Sequence, residues 1–346
     1  MWFEKLTGFQ EESPQQVRAN ISVDGTVLKS HVNGKSYICG ELQVPSLAEL
    51  RERVRSVGFH SGKIQVREVV ADVQQLHTTE SNAGALFQVA SQFNLLEMIS
   101  PNVTPEQGVG RYEDDPTQGP ACAIAAGAGT IYRNYLALVN GQTGQSTDNQ
   151  IDCLADLGKE LGNDGNRLWE MRNGYAMPSH DGLAHIADRL RASGEVGRDQ
   201  LRQLLRIGIQ WNTQVTLNDC KHQVSQAYCS ALPVAYGHFG QCRQYEQYAH
   251  HAQDEAELWE PFARLVLEAS YEATICAAIL NAAKNTNNRV FLTFLGGGVF
   301  GNRTEWIIDA MQRVLKLYEN ADLDVAIVSY GTSKPDVRRL VDAMKK

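Results

Sequence analysis

The fold of this 346-residue chain is decided by one stretch, Val290-Phe-Leu-Thr-Phe-Leu-Gly-Gly-Gly-Val-Phe-Gly-Asn302, in which an apolar strand runs into a glycine-rich turn. Glycine reaches backbone angles closed to other residues and has no side chain that could keep a ligand away. Apolar residues at helical spacing follow from Trp306 to Tyr318. Because free N–H groups and the helix dipole favour anions at such a turn, the segment predicts a phosphate-binding loop, with a tight turn that binds nothing as the alternative.

The chain before and after this stretch alternates between strand and helix patterns. Strands are predicted at 64–70, 85–90, 208–215, 224–233, 290–295 and 323–330. Helices are predicted at 119–138, 151–161, 183–205 with a break at Ser193-Gly194, 262–283 and 304–319. This alternation predicts an α/β fold with three α/β/α layers, in which a mixed sheet lies between two helical layers.

The N-terminal part of the chain, 1–60, differs from this pattern. Turn signals at Asp24-Gly25 and Asn33-Gly34 predict short hairpins, and a helix is predicted at 47–57 with Ser46 as its N-cap. We therefore divide the chain into an N-terminal β-rich extension (1–60) and a main domain (61–346), which carries a polar, partly helical insertion at about 140–205.

Bulk composition excludes several functional classes. A formal net charge of −8 and a pI near 5.6 argue against general nucleic-acid binding, which needs a basic face. The sequence has no run of 18 apolar residues that would predict a membrane span, and its N-terminus lacks the apolar stretch of a signal peptide. Seven cysteines in no regular framework suit a reducing compartment, so we expect a cytoplasmic protein with no nucleic-acid or membrane partner.

Polar residues among glycines mark two further candidate segments. Asn94 follows the predicted strand 85–90, where an amide can bind a ribose hydroxyl or simply cap a turn. The stretch 105–120 places four carboxylates within ten residues beside a predicted helix start, namely Glu106, Glu113, Asp114 and Asp115. A helix cap needs one acid, so the others are suited to orient water or to hold a cationic leaving group.

Other reactive residues give weaker signals. One cluster of cysteines and histidines is formed by Cys220, His222, Cys229, His238 and Cys242. Its spacings match no zinc pattern, so we expect no metal. The sequence has neither a P-loop lysine motif nor a full dinucleotide fingerprint, so we expect no cofactor. Cys122 is either a nucleophile beside a glycine-rich turn or a small core residue on a tightly packed helix. Asn302 and Thr304 are predicted to cap the helix that follows the glycine turn.

Together, these segments resemble a macrodomain, the α/β/α fold that binds ADP-ribose. The stretch 291–301 resembles the family's second phosphate loop, and 108–119 resembles its first. Val70-Ala-Asp-Val-Gln-Gln-Leu76 resembles the early segment whose Asp holds the adenine amino group, and the turn from Gln92 to Asn94 resembles the strand end that faces the distal ribose. The resemblance covers about residues 64–335.

Three further stretches, 93–97, 112–123 and 127–134, are similar to a divergent branch of macrodomains, the MavL-type hydrolases that remove ADP-ribose from arginine side chains. The first loop lacks the Gly-Gly-Gly and the paired glutamates typical of poly(ADP-ribose) glycohydrolases, so the resemblance does not extend to cleavage of ribose–ribose chains. A guanidinium leaving group is a planar cation that carboxylates bind well. This agrees with the acidic loop, by which we mean the stretch 105–120 with its four carboxylates.

The resemblance implies a set of site residues. Asp115 and Asp114, with Glu106 as a third candidate, are expected to bind the guanidinium or to activate water. The implied ligand-binding residues are Asp72, Val73, Asn94, Gly108, Val109, Gly110, Gly296, Gly297, Gly298, Val299, Phe300 and Gly301. The expected activity is hydrolysis of arginine-linked ADP-ribose on a modified protein, and a module that binds ADP-ribose without cleaving it is the alternative.

Overall fold

The computed structural model describes residues 1–58, 62–236, 249–285 and 287–345. Its α-helices are α1 (Trp2–Thr7), α2 (Pro14–Asn20), α3 (Leu47–Val57), α4 (Val73–Thr78), α5 (Gln118–Ala125), α6 (Gly127–Ile131), α7 (Ala155–Leu161), α8 (His180–Ala192), α9 (Gly194–Arg202), α10 (Ala249–Asn285), α11 (Thr304–Leu317) and α12 (Pro335–Met344). Its strands are β1 (Ile21–Asp24), β2 (Val27–Ser30), β3 (Ser36–Ile38), β4 (Glu41–Gln43), β5 (Gln65–Val70), β6 (Leu86–Ala90), β7 (Leu138–Val139), β8 (Gln142–Thr143), β9 (Trp169–Arg172), β10 (Tyr175–Pro178), β11 (Gly208–Gln214), β12 (Gln223–Cys229), β13 (Arg289–Leu292) and β14 (Asp324–Ser329).

A seven-stranded mixed sheet in the order β4-β11-β12-β6-β13-β14-β5 forms the centre of the fold. The strands β12, β6, β13, β14 and β5 run parallel, whereas β11 is antiparallel to both of its neighbours. β6, β13 and β14 are almost wholly buried, as expected for parallel strands that are covered on both faces. The predicted α/β fold with a mixed sheet is confirmed.

Helices cover both faces of this sheet and complete the three layers. On one face α10 packs against α3, α8, α9 and α11, and on the other α5 packs against β6 and α4. Successive residues of β6 show the two faces directly. Phe87 stacks on His77 of α4, and the side-chain amide of Gln88 donates to the hydroxyl of Thr274 in α10.

Helix α10 is a core helix of its layer. Its residues Ala256–Asn285 are long and apolar enough to span a membrane by length and composition, but 89% of their most apolar window is buried inside the fold. Charged residues such as Glu268 and Glu272 interrupt this stretch, so it contains no run of 18 apolar residues. Burial against the sheet and four other helices accounts for the apolar surface of α10.

The N-terminal segment 1–60 shares its packing with the main domain. β4 pairs with β11 at one edge of the central sheet, and α3 packs against α10 with the predicted Ser46 cap present as a capping box. β1, β2 and β3 form a small sheet of their own, connected by the two predicted hairpins. A second hydrophobic core brings Phe3 and Leu6 together with Tyr112 and Ile131. The predicted division near residue 60 therefore separates segments that share one sheet and a common core.

The predicted insertion at 140–205 contains two hairpins and two helices that pack against α10. β7 pairs with β8, and β9 pairs with β10, each antiparallel. α8 and α9 are separated at Ser193 as predicted, and both pack against α10. Because Leu183, Ile186 and Leu190 of α8 are buried there, this part of the insertion belongs to the helical layer.

The helix predicted at 119–138 is interrupted. α5 ends at Ala125, the next residue has non-helical angles (φ −117°, ψ 58°), and α6 continues into a π-helical turn at Tyr132–Leu136. Thr216 provides hydrogen bonds at the break. Its N–H donates to the Ala125 carbonyl (2.8 Å), and its hydroxyl accepts from the N–H of Gly127 (3.0 Å). A partner so distant in sequence leaves no trace in the local periodicity.

His77 of α4 is a buried histidine that its neighbours hold in the neutral form. Its Nδ1 lies 2.7 Å from the carbonyl oxygen of Val73, and its Nε2 lies 3.1 Å from the amide nitrogen of Gln226. With Nδ1–H donating to the carbonyl and Nε2 accepting from the amide, no nitrogen is left to take a second proton. Burial lowers the pKa of His77 from 6.5 to about 4.

We expect His77 to reduce the stability of the fold in mild acid. An unfolded histidine takes up its proton near pH 6.5, whereas folded His77 does so near pH 4, so its contribution is complete above 6.5 and is lost as the pH falls towards 4. Between about pH 7 and pH 5 the free energy of unfolding should drop by roughly 2 kcal/mol on this account. Urea unfolding at both pH values measures the drop. His77→Gln should abolish it and exposed His185→Gln should retain it, whereas an undiminished drop in His77→Gln would contradict the prediction.

Candidate active site

A cavity of about 650 Å³ lies at the carboxyl ends of the parallel strands. Its walls come from the segments that follow β6, β12, β13 and β14 and from the first residues of α4 and α5. In open α/β sheets this edge is where ligands bind, because the chain turns away from the sheet there and leaves a crevice. The volume lies within the range of small-molecule and cofactor sites.

The strand order arranges the walls of this cavity along a line. Val73 follows β5 at one end, Tyr330 and Lys334 follow β14, the loop 293–300 follows β13, and the turn 91–99 follows β6. Ala231 and Tyr236, after β12, stand at the other end. Neighbouring strands are about 4.8 Å apart, so roughly 14 Å separates the end of β5 from the end of β6. The site therefore suits an extended ligand with chemically different ends.

The glycine loop after β13 has the backbone geometry that the sequence predicts. Gly296 has φ 71°, and an added Cβ there would lie 2.5 Å from Ala231, so the fold requires glycine at this position. The N–H groups of Gly298, Val299 and Phe300 have no hydrogen-bond acceptor among the described residues. An added Cβ at Gly298 would meet nothing within 4 Å. The loop thus leaves both backbone donors and space for an anionic group.

Asn302 fixes the two ends of this loop. Its side-chain amide donates to the Leu232 carbonyl (2.8 Å), and its backbone N–H donates to the Gly296 carbonyl (2.9 Å). The prediction that Asn302 and Thr304 cap the next helix was wrong. Arg303 occupies the N-cap position of α11, with no side-chain cap.

The opposite wall is formed by 115–120, where the chain enters α5. The Asp115 carboxylate accepts a hydrogen bond from the N–H of Thr117 (2.9 Å), which fixes the turn before the helix. Gly119 brings this helix directly against β6. An added Cβ would lie 2.3 Å from the carbonyl oxygen of Ala90 and 2.6 Å from Oε2 of Glu97. The contact places the first turn of α5 beside Glu97, and the charge of Asp115 also reaches that carboxyl group.

Glu97 is a buried glutamate on the cavity wall that the sequence analysis did not identify as a site residue. Its side chain is 5% exposed, and its Oε1 has no hydrogen-bond partner within the part of the chain that the structure describes. Burial raises the pKa of Glu97 well above its ordinary value, the charge of Arg133 opposes that rise, and the charge of Asp115 adds to it. Buried carboxyl groups of this kind are characteristic of general acids in active sites.

The turn that carries Glu97 is held in an unusual conformation. Leu95 has φ 66°, which is rare for a branched residue. The N–H of Glu97 donates to the Tyr112 hydroxyl (2.9 Å), and the N–H of Met98 donates to the Gln92 side chain (2.8 Å). Strained backbone that its surroundings hold in place is common at functional sites. A lone acid within the run Leu95-Leu96-Glu97-Met98, a few residues after the strand predicted at 85–90, was the sequence signal that could have found it.

Three aromatic rings stand beside the two acids. The ring centroids of Tyr175, Tyr236 and Phe300 lie 5.3 to 5.9 Å apart, and all three residues line the cavity. Burial raises the pKa of Tyr236, and so does the charge of Asp115. The pKa of Tyr175 is raised by burial and by the charges around it, Glu97 and Asp115 among them. Both acids are therefore within electrostatic reach of this aromatic cluster.

The predicted site residues that line the cavity are Val73, Asp115, Gly296, Gly298, Val299 and Phe300. Gly297 and Gly301 belong to the same loop but face other parts of the fold. Added Cβ atoms there would lie 2.4 Å from Phe294 and 2.9 Å from Ala235, respectively. These two glycines shape the loop rather than line its open side.

The loop at Gly108, Val109 and Gly110 does not line the cavity, contrary to the sequence-based expectation. Its backbone donors are occupied by the Glu11 carboxylate, which accepts from the N–H groups of Val109 (3.0 Å) and Gly110 (2.6 Å) and from the Tyr135 hydroxyl (2.7 Å). Burial raises the pKa of Glu11, while these three hydrogen bonds oppose the rise. The N-terminal segment thus takes the position in this loop that we had predicted for a phosphate.

Three more predicted residues are directed elsewhere. The Asn94 amide donates to Gln150 (2.8 Å) and its carbonyl accepts from the N–H of Leu96, so it fixes a turn. Glu106 accepts from the N–H and hydroxyl of Thr147; burial would raise its pKa, but these bonds hold it below the ordinary value. Asp114 is exposed and absent from the cavity wall. Of the acidic loop, Asp115 is the member that faces the cavity.

Asp72 lies at the N-cap of α4, next to the cavity, and its carboxylate is engaged by a side chain. One oxygen accepts from the N–H of Gln74 (2.8 Å), and the other accepts from the amide of Gln118 (3.1 Å). The carbonyl of that amide in turn accepts from the N–H of Val73 (2.9 Å). The predicted adenine contacts are therefore adjacent in space and hold the same amide.

The cluster of cysteines and histidines and the alternative of Cys122 as a nucleophile can be compared with the described residues. No group of three or more His, Cys, Asp or Glu side chains suited to a metal occurs among them, and His238 and Cys242 lie outside them. Cys122 is buried, and burial raises the pKa of its thiol well above the ordinary value. Such a thiol is a core residue rather than a nucleophile.

Substitution of Gly119 by alanine is expected to destabilise the fold by about 1–3 kcal/mol or more, because the new methyl group meets a backbone carbonyl that cannot move aside. Urea unfolding measures the loss. Gly298→Ala is the matched control on the facing wall, where an added Cβ has no neighbour within 4 Å, and it should leave stability unchanged. Equal stability of the two variants would show that α5 has room to move from β6.

Comparisons with known proteins give a structural likeness without a sequence match. No protein-family model and no curated protein sequence matches this chain. Poly(ADP-ribose) glycohydrolase from Thermomonospora curvata is similar at 11% identity and TM-score 0.43, over 95% of each chain. The Deinococcus radiodurans enzyme in complex with ADP-ribose is similar at 10% identity and TM-score 0.43, over 88% of this chain and 95% of that chain. The Thermomonospora curvata enzyme bound to the inhibitor ADP-HPD is similar at 11% identity and TM-score 0.40, over 96% of each chain.

Proposed function

We propose that this protein binds ADP-ribose in the cavity and hydrolyses the bond that links it to an arginine side chain of a modified protein. The observation that carries the proposal is the pair of acids Glu97 and Asp115 on the wall of a cavity whose facing loop offers free backbone N–H groups. An anion cradle and two carboxyl groups of different environment are the parts that glycosidic hydrolysis of a nucleotide sugar requires.

The order of the walls gives the ligand a direction. The adenine lies at Asp72 and Val73 after β5, and the pyrophosphate lies between the N–H groups of 298–300 and the first turn of α5. The distal ribose then lies at Glu97 and Asp115 after β6. Backbone N–H groups bind phosphate without net positive charge, which suits a chain whose net charge is −8.

Glu97 and Asp115 divide the chemistry between them. The bond from the anomeric carbon to the guanidino nitrogen breaks with its electron pair on nitrogen, and protonated Glu97 gives its proton to that nitrogen. Water adds its oxygen to the anomeric carbon and loses a proton to Asp115. The positive charge that develops on the ribose is stabilised by the Asp115 carboxylate. The products are ADP-ribose and an unmodified arginine side chain.

The arginine linkage is favoured by the surroundings of the two acids. A guanidinium is planar and cationic, so it stacks on aromatic faces and binds carboxylates. The rings of Tyr175, Tyr236 and Phe300 line the same cavity as Glu97 and Asp115. An ester linkage would release a neutral or negative group, which these acids would not attract.

Defined substrates test the proposal. Peptides modified on arginine, serine or glutamate, together with poly(ADP-ribose), are incubated with the protein, and free ADP-ribose is followed by chromatography. Release from the arginine peptide alone supports the proposal. Release from another substrate overturns the arginine assignment, and ADP-ribose binding without any release would make the protein a reader module. Absence of both binding and release overturns the function as a whole.

A further inference from the structure

The side-chain amide of Gln118 is hydrogen-bonded to Asp72 and Val73 at the start of α4. Its nitrogen donates to Oδ2 of Asp72 at 3.1 Å, and its oxygen accepts from the N–H of Val73 at 2.9 Å. The two hydrogen bonds close a ring between an amide on one side and a carboxylate and a peptide N–H on the other. Gln118 and Val73 both line the cavity, so this ring lies at its wall.

The edge that Gln118 presents is chemically the edge of a nucleobase. A donor N–H stands beside an acceptor in one plane, as the amino group and the ring nitrogen do in adenine. Asp72 and Val73 supply one acceptor and one donor in this direction, so they can satisfy one such edge at a time. The amide and an incoming base are therefore alternatives at this place.

We propose that the Gln118 side chain is an internal stand-in for the base. The ligand must displace this side-chain amide before its adenine can bind. This inference rests on the proposed function. In the ligand-free protein the amide keeps the carboxylate and the N–H paired, which spares the cost of leaving buried polar groups without partners. The apparent affinity is reduced by the fraction of molecules in which the amide occupies the site.

The position of Gln118 allows this exchange. It is the first residue of α5 and is only partly buried, so its side chain can turn outwards without disturbing the core. The Asp72 oxygen that caps α4 accepts from the N–H of Gln74 and is a different oxygen from the one that Gln118 uses. Displacement of the amide therefore leaves the helix cap intact.

Gln118→Ala should bind ADP-ribose about 10-fold more tightly than wild type, within roughly 5- to 100-fold, because two hydrogen bonds, one of them to a carboxylate, no longer compete. Ribose 5-phosphate, which has no base, should bind both proteins equally. Gln74→Ala is the matched control. Its amide also bridges α4 and α5, at 3.4 Å from the Ala121 carbonyl, but it does not occupy the base edge. Calorimetry measures the affinity of the three full-length proteins for both ligands, and Gln74→Ala should bind each ligand as wild type does.

A second measurement uses the unaltered side chain. The Gln118 side-chain amide signals, assigned by their loss in Gln118→Ala, should shift when ADP-ribose is added to wild type and stay in place when ribose 5-phosphate is added. Unchanged or weaker ADP-ribose binding by Gln118→Ala, with unmoved amide signals, overturns the stand-in while leaving the proposed function in place. Failure of wild type and Gln118→Ala alike to bind ADP-ribose overturns both.

Discussion

Glu97→Gln is expected to lower kcat for release of ADP-ribose by ~10³-fold, within the range that a positioned acid or base contributes, while ADP-ribose affinity stays within about 3-fold. Glutamine has the same shape and can still donate a hydrogen bond, but it has no proton to give to the leaving nitrogen. Single-turnover hydrolysis of an arginine-modified peptide measures the rate, and calorimetry measures the affinity.

The pH dependence of this variant distinguishes catalysis from structure. Burial raises the pKa of Glu97, so activity that needs its proton should persist where an ordinary glutamic acid has ionised and should fall as the pH rises through the Glu97 pKa. For the same reason its stabilising contribution is present at low pH and lost as the pH rises through that pKa. Glu97→Gln should therefore lose activity and be at least as stable as wild type in alkaline solution.

A matched control for Glu97 lies outside the cavity. Glu106→Gln removes a carboxyl that binds Thr147 and should leave kcat within about 3-fold of wild type. If Glu97→Gln retained full activity, or lost ADP-ribose binding together with activity, Glu97 would be a structural residue and the proposed acid would have to be sought elsewhere.

Asp115→Asn is the second change with a large expected effect, a loss of ~10²- to 10³-fold in kcat. The asparagine oxygen can still accept from the N–H of Thr117, so the turn before α5 should keep its shape. What is lost is the negative charge that faces the ribose and takes the proton from water. ADP-ribose binding should be retained.

Asp115→Asn should also move the pH profile. The charge of Asp115 helps to raise the pKa of Glu97, so without it the alkaline fall in activity should move to lower pH. Asp114→Asn removes a charge from an exposed neighbour that does not line the cavity and should leave the profile in place. The same shift in both variants would mean that the acidic loop acts through its total charge.

Local patterns predicted much of this fold. The alternation of strand and helix signals predicted the layers. The four glycines after β13 located one wall of the cavity, because the geometry of a turn depends on residues that are adjacent in sequence. The N-cap at Ser46 and the two hairpin turns were predicted correctly for the same reason, since each depends on residues that are close in sequence. Strand order, in contrast, depends on pairings between segments as far apart in sequence as β5 and β14, and no local pattern contains it.

The site was harder to predict because its residues are selected by tertiary contacts. Gly108 to Gly110 had the composition of a phosphate loop, but the carboxylate of Glu11, far away in sequence, fills it. Glu97 lies among apolar residues in the sequence, so no local pattern identified it. Its raised pKa comes from burial, which depends on the folded structure. The Gln118 contact with Asp72 and Val73 likewise joins the starts of two helices that are far apart in the sequence, so no local pattern predicts it.

The edges of the central sheet determine when folding can finish. β4 ends at Gln43 and β5 ends at Val70, yet their partners β11 and β14 begin only at Gly208 and Asp324. A growing chain therefore leaves β4 without its partner until β11 is made and leaves β5 unpaired for most of the synthesis, a condition that slows folding and invites aggregation. We expect β5 to join last, so premature termination before Asp324 would leave β5 and β13 as open edges for association with other chains.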